Sequence, residues 1–246
     1  MFNFFKSKPV EAAELSFKTD IHCHLAPGID DGSADAALSA DIIERMQAMG
    51  IERIFVSPHI TNVTYVNTGA TIGAAMDKLR AELERRGNKI EISSHAEHRI
   101  DELFLSMFRQ KTVQPLPGNL LLIENSFLQE PWNLDQVVFD LQVAGYRPIL
   151  AHPERYDYYY RDKSRYEALH NAGLMFQINL LSLAGAYGKE ERRIAEWLMG
   201  ASLVDFVGTD IHGMRHVEAI EKYLHTKEAH RDMDALRGRL LNDTAL

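Results

Sequence analysis

The chain has 246 residues, 46% of them hydrophobic, and a formal net charge of −8 with histidine neutral. That length suits one large single-core domain, for which an α/β barrel of about 250 residues is ordinary. The acidic balance argues against non-specific nucleic-acid binding and against membrane-surface binding. The single cysteine, Cys23, rules out a disulfide framework within the chain and fits a reducing, cytoplasmic setting.

The opening stretch MFNFFKSKPVEAAEL has too short an apolar run for a signal-peptide core or a membrane span. Residues 1–17 are therefore expected to form a flexible arm and 18–246 one domain. Ser16–Ile21 reads as a strand. Ala34–Met49 reads as a helix, with Leu38, Ile42, Ile43, Met46 and Met49 forming its apolar stripe and Gly50 its stop. Arg53–Ser57 is a second strand, followed by an irregular, mobile loop over Ile60–Ala70 and a helix over Ile72–Arg86. Lys89–Ser94 is a third strand and Asp101–Gln110 a short helix. Asn119–Ile123 is an apolar strand, and the helix Leu134–Ala144 ends at Gly145. Then come strand Pro148–Ala151, helix Lys163–Asn171, strand Leu174–Ile178, helix Glu190–Met199 and strand Leu203–Val207, with helices filling the rest. Seven strands with helices between them predict parallel βα units. Several strands are short apolar runs buried on both faces. The expected fold is α/β, a distorted (β/α)7 TIM-like barrel in a single domain.

Possible metal ligands stand at the ends of these strands. Strand one runs into Asp20-Ile-His22-Cys-His24, strand two into Ser57-Pro58-His59, and strand three into His95-Ala-Glu97. Strand four runs into Glu124-Asn125, strand five into His152-Pro-Glu-Arg155, and strand seven into Gly-Thr-Asp210-Ile-His212. In a barrel the C-terminal strand ends open onto one face, where active sites sit. A lone histidine at a strand end is ordinarily a polar residue hydrogen-bonded nearby. Six segments delivering His, Asp and Glu to one mouth are a different matter. His22 and His24, two apart on extended chain, share a face, and Asp210 and His212 repeat that spacing. Imidazole with carboxylate suits manganese, iron and zinc, and the candidates outnumber the four ligands of one tetrahedral site. Two or three metal ions are implied.

At HCHLAPGIDDGSAD the chain resembles the polymerase and histidinol phosphatase (PHP) superfamily. Within it the chain is similar to the bacterial tyrosine phosphatases of capsule and exopolysaccharide synthesis. The resemblance spans about Lys18 to Arg237 and includes SPHIT, AEHRIDE, LIENSF, AGYRPILAHPERY, QINLLSLAGAYG and GTDIHGMRH. It implies a three-metal site. One ion would be held by His22, His24, Glu97 and Asp210, a second by Asp31, His59 and His212, and a third by Glu124 and His152 with Glu97 bridging. Arg155 and Arg215 match positions that bind phosphate. Only the family pattern selects Asp31 over Asp30, whose place before Gly32 suits a turn. His95 and His98 are taken as non-ligands. The implied reaction is hydrolysis of phosphotyrosine in a protein by a metal-activated water. Manganese is the first choice of metal, with iron or zinc also suitable. The implied partner is the tyrosine-rich tail of a membrane-bound bacterial tyrosine kinase. Nucleic acid, direct membrane insertion and any readable oligomeric state are not implied.

Two other functions share this machinery: a small-molecule phosphatase such as histidinol phosphatase, and a PHP module that binds metal without catalysis. A DNA-end nuclease is disfavoured by the acidic charge. Cysteine-dependent tyrosine phosphatases place an arginine six residues after the nucleophile, whereas Ile29 stands there after Cys23. Cys23 also alternates away from His22 and His24, which predicts a packing role. The run Tyr156, Tyr158, Tyr159 and Tyr160 reads either as packing or as an aromatic rim around a substrate ring.

Overall fold

A computed structural model describes residues 10–246. Among these residues nine parallel strands lie in two sheets. Strands β1 (Thr19–Asp20), β2 (Arg53–Val56) and β4 (Glu91–Ser94) form a three-stranded sheet in the order β1-β2-β4. Strands β3 (His59–Ile60), β5 (Glu97–Arg99), β6 (Leu120–Glu124), β7 (Arg147–Ala151), β8 (Met175–Asn179) and β9 (Phe206–Gly208) form the other, in that order.

The seven expected strands are thus nine. The second and third are each broken in two, at Ser57-Pro58 and at His95-Ala96. Pro58 has no N–H to carry the ladder onward, although its carbonyl still accepts from Glu97 N at 3.1 Å. Past each break the chain changes sheets, which curls the whole surface. The two sheets meet again at β1 and β9. His24 N donates to Ile211 O at 2.9 Å and Asp210 N to His22 O at 2.7 Å. At the other end, Asn242 Nδ2 donates to Thr19 O and Val207 O, both at 2.8 Å.

Helices α1 (Ala36–Ala48), α2 (Gly69–Arg85), α3 (Glu102–Gln110), α4 (Leu134–Val143), α5 (Ser164–Asn171), α6 (Leu180–Leu183), α7 (Lys189–Gly200), α8 (Met214–Leu224) and α9 (Lys227–Leu236) follow the strands. Their starts are written locally. Asp35 accepts from Leu38 N, Thr68 and Thr71 form a reciprocal box, and Asp101 accepts from Phe104 N. No helix among the described residues is long and apolar enough to cross a membrane.

Strand alternation divides the core. On β6, Leu121 and Ile123 pack outward with the helices, whereas Leu120 and Leu122 join Ile21, Phe55, Ile149 and Phe206 inside the curl. Glu124 continues the inner row of β6 and emerges where that apolar plug ends.

The expected arm needs correction. Residues 10–17 are packed: Ala13, Leu15 and Phe17 are buried in the main core, and Ala13 N donates to Leu224 O at 2.8 Å. Residues 1–9 lie outside the described residues. Of the loop expected over Ile60–Ala70, residues 61–68 are irregular but pinned, while Ile60 belongs to β3 and Ala70 to α2. Thr61 Oγ1 accepts from Thr64 N and Tyr65 N, and Asn67 Nδ2 donates to Ile29 O and His59 O.

Candidate metal centre

The strand ends converge as the spacing predicts. Parallel register sets His59 beside Glu97 and Arg99 beside Glu124. His22 Nε2 and His24 Nε2 stand 3.2 Å apart, and each lies 3.5 Å from Glu97 Oε2 and 3.4 Å from Asp210 Oδ1. Asp31 Oδ1 lies 3.6 Å from His59 Nε2 and 3.7 Å from His212 Nε2. His152 Nε2 lies 3.0 Å from Glu97 Oε1 and 3.8 Å from Glu124 Oε1. All nine sequence-selected residues fall into donor clusters whose atoms lie within 4.8 Å of one another.

The grouping differs slightly from the family pattern. His24 joins Asp31, His59 and His212 as well as His22 and Asp210, and Glu97 reaches His22, His59, Glu124 and His152. Glu97 is the hub. Its Oε2 is buried without a hydrogen bond, and so are Nδ1 of His59 and Nδ1 of His152. His59 Nδ1 lies only 2.9 Å from Glu97 Oε2, yet the pair lacks hydrogen-bond alignment. A buried carboxylate oxygen left without a donor is costly. Divalent cations would satisfy it, so the donor set fits them.

Outer contacts aim these ligands. His22 Nδ1 lies 2.6 Å from Gln177 Oε1, and His24 Nδ1 lies 2.9 Å from Asp30 Oδ2. Each ring therefore carries its proton on Nδ1 and turns Nε2 inward, the usual backing of a metal-binding histidine. Asp30 also accepts from Gly32 N at 3.0 Å and His59 N at 3.2 Å. It serves the turn, as the sequence suggests, and orients two histidine segments besides. Gly32 permits this fold-back, because a Cβ there would lie 2.0 Å from His24 O. His152 and Asp210 hold positive φ, +37° and +52°. Such non-glycine strain costs about 1–3 kcal/mol per residue and concentrates at functional sites.

The charges are mutually dependent. Burial would keep His22 neutral, but Glu97 and Asp210 outweigh it and push it up to about 9. Against the same burial, Glu97 pushes His59 up to about 10. Burial draws His152 and His212 down to about 4. Burial and the Glu97 charge push Glu124 up to about 7. The buried carboxylates call for positive partners, which divalent cations would supply.

Above this floor opens a cavity of about 590 Å3, lined among others by Asp31, Tyr65, Arg99, Phe127, Arg155 and Tyr187. Arg155 packs against the rings of Tyr187 and Phe127, at 4.1 and 4.9 Å, and donates to Asp210 Oδ2 at 2.9 Å. Asn179 Nδ2 and Tyr187 OH donate to the same oxygen. Arg215 is placed otherwise than expected. It is exposed at the second position of α8 and does not line the cavity, which receives His216 instead. The tyrosine run is not a rim. Tyr156 and Tyr159 are buried, and Tyr156 OH donates to Ala151 O at 3.0 Å. Cys23 is buried in the main core, as its alternation predicts. His95 and His98 are buried outside the ligand clusters.

Arg99 escaped the sequence reading. It donates to Glu124 Oε2 at 2.8 and 3.0 Å while lining the cavity. Its place two residues after Glu97 on an extended strand was the available signal. Phe127 and Tyr187 lie within LIENSF and QINLLSLAGAYG, but nothing in their spacing marks them as cavity walls.

Residues 18–236 match the family model described as capsular polysaccharide synthesis, CpsB/CapC. The tyrosine-protein phosphatase YwqE of Bacillus subtilis is 32% identical over 211 residues, covering 85% of this chain and 81% of that protein. A solved chain from work on YwqE of Bacillus subtilis and CpsB of Streptococcus pneumoniae, described as metal-dependent tyrosine phosphatases, superposes with a TM-score of 0.77. It is 30% identical and covers 89% of this chain and 93% of its own. Histidinol phosphate phosphatase of Lactococcus lactis, solved with zinc, shares the fold at 17% identity and a TM-score of 0.50, covering 84% of this chain and 92% of its own.

Proposed function

The chain belongs to the CpsB/CapC family of capsular polysaccharide synthesis, and from that premise we propose that it is a metal-dependent phosphatase acting on phosphotyrosine in proteins. The observation that carries this reading is the floor of converging histidines and carboxylates, with Glu97 Oε2 orphaned at its centre and Arg155 beside it. We read the curled sheet as a distorted barrel of seven βα units and residues 18–246 as one catalytic domain, with 10–17 packed on it.

His22, His24, Glu97 and Asp210 would hold one ion, Asp31, His59 and His212 a second, and Glu97, Glu124 and His152 a third. When bound, these ions supply Lewis-acid charge at the phosphoryl oxygens and lower the pKa of an attacking water. The remaining work falls to the chain. Arg155 presents a guanidinium fork to the phosphate, its orientation set by Asp210 and two aromatic faces. Arg215, exposed at the start of α8, would add a second phosphate contact. Tyr65, Phe127 and Tyr187 offer walls on which a phenyl ring packs. A phenolate is a good leaving group, so the reaction asks little of a general acid.

Manganese, iron and zinc all suit these donors, with manganese the first choice. The substrate we favour is the tail of a membrane-bound bacterial tyrosine kinase, met in the cytoplasm. Purified metal-loaded protein should turn over a phosphotyrosyl peptide far better than histidinol phosphate. The reverse preference would make it a small-molecule phosphatase. Failure to hydrolyse even p-nitrophenyl phosphate would leave a metal-binding module without catalysis.

A further inference from the structure

The loop from Asn125 to Asn133 walls the catalytic cavity and carries a second surface. Leu128 and Trp132 are 92% and 94% exposed. Together with Ile100, Leu105 and Pro131 they line a groove of about 630 Å3. The two spaces share their wall. Phe127 faces the catalytic cavity, while its neighbours Ser126 and Leu128 face the groove; Arg99 and Ile100 divide in the same way. The Phe127 ring stands 5.6 Å from that of His152. The groove therefore adjoins the catalytic cavity, across a ridge carrying that ring.

This loop is braced. Asn125 N and Nδ2 donate to the hydroxyls of Tyr156 and Tyr159 at 3.0 and 3.2 Å. Tyr158 OH donates to Ser126 O at 3.0 Å. Tyr159 OH also donates to Glu130, which Arg165 grips at 2.7 and 3.0 Å. The tyrosine run thus has a use the catalytic reading leaves open: it pins the backbone from which Leu128 and Trp132 project. An apolar surface held rigid in water is preorganised for a partner, because little ordering entropy remains to be lost on contact.

We propose that this groove receives an apolar side chain of the substrate polypeptide, close in sequence to the phosphotyrosine held in the catalytic cavity. The proposal rests on the phosphotyrosine reading of that cavity. An extended peptide advances about 3.3 Å per residue, so a side chain within about three positions of the phosphotyrosine reaches over the Phe127 ridge. Asp101 and Glu102 also line the groove, so an acidic residue in the same register is repelled.

The test is a scan of phosphotyrosyl peptides with glycine and serine flanks, into which one leucine or one glutamate is moved through the three positions on either side. In one register leucine should raise kcat/KM about tenfold over the plain peptide, and glutamate should lower it. The double variant Leu128→Ala/Trp132→Ala should erase that preference while leaving p-nitrophenyl phosphate turnover and melting temperature unchanged. Trp132→Leu, which keeps an apolar surface, should retain part of it. Equal rates for all leucine registers, or a preference that survives the double variant, overturns the proposal. So does light scattering that shows the double variant splitting an oligomer, because the groove is then a contact between copies. Failure of the underlying reading looks different: no phosphotyrosyl peptide is hydrolysed while histidinol phosphate is.

Discussion

Arg155 Nη1 donates to Asp210 Oδ2 at 2.9 Å, while Asp210 Oδ1 lies 3.4 Å from both His22 Nε2 and His24 Nε2. One carboxylate therefore faces the candidate metal centre with one oxygen and the candidate phosphate-binding cation with the other. Asn179 and Tyr187 share the second oxygen. Moving the arginine disturbs the carboxylate, and moving the carboxylate disturbs both. Arg155→Ala should lower kcat/KM on a phosphotyrosyl peptide about a hundredfold, the scale of a lost charge-assisted contact of about 2–3 kcal/mol. Arg155→Lys should recover little, since an ammonium neither forks nor stacks between Tyr187 and Phe127. Full activity in the lysine variant would contradict the fork.

Arg215 offers a contrast. It is exposed and outside the cavity lining, so its grip on phosphate requires its side chain to turn toward the cavity. Arg215→Ala should raise KM about tenfold with kcat nearly unchanged, a smaller loss than at Arg155. Steady-state kinetics on the peptide separates the two, and an unaltered KM would remove Arg215 from the site.

Removal of metal should abolish activity and loosen the fold together. Glu97 and Asp210 are buried among histidines and held well below the ordinary carboxylate range; burial opposes this, but the neighbouring His22 charge and its companions prevail. Dialysis against a chelator should lower the melting temperature by roughly 5–10 °C, the scale of a ligand present at about a hundred times its Kd. Added manganese, iron or zinc should restore it. His59→Ala and His152→Ala should abolish turnover while remaining folded by circular dichroism. A chelated protein with unchanged turnover would refute the centre.

Cys23 should be dispensable. Its side chain packs in the core, and burial pushes its thiol well above the ordinary range. Cys23→Ala should keep kcat within about threefold, and iodoacetamide should not inactivate the native enzyme. Rapid inactivation by the reagent would reopen a thiolate mechanism.

Stability should drain in mild acid through His98. Its Nε2 accepts from Gln114 N at 3.1 Å and its Nδ1 faces Leu122 O at 3.3 Å, so the ring is built in as neutral. Burial lowers its pKa from 6.5 to about 4. Below pH 6.5 the unfolded chain takes up a proton that the folded ring refuses until about pH 4. This contribution is therefore full above 6.5 and is lost as pH falls through that window. His98→Gln should flatten the dependence by roughly 2–3 kcal/mol between pH 7 and 4.5. Urea denaturation of chelated wild type and variant measures it, and parallel curves would exclude His98 as the source.

The local sequence was enough to reveal the strand ends, the glycine stops of helices and the kinds of atom delivered to one mouth. His22-x-His24 and Asp210-x-His212 announce a shared face because extended chain repeats every two residues. Cys23 announces its burial by the same rule. Pairing across the sheet decided the rest. Periodicity tells which way a side chain points along its own strand, not which strand lies alongside. Glu97 became the hub only when β3, β5 and β6 came into register. Asp30 gained its hold on His24 and His59 N through a fold-back that Gly32 allows. The breaks at Pro58 and His95-Ala96 turned seven strands into nine, and contacts with Leu224, His225 and His230 fixed residues 10–17. Arg99 and the tyrosine run were settled by tertiary contact as well. Their types permit surface, site or core, and only the neighbours met in three dimensions choose among them.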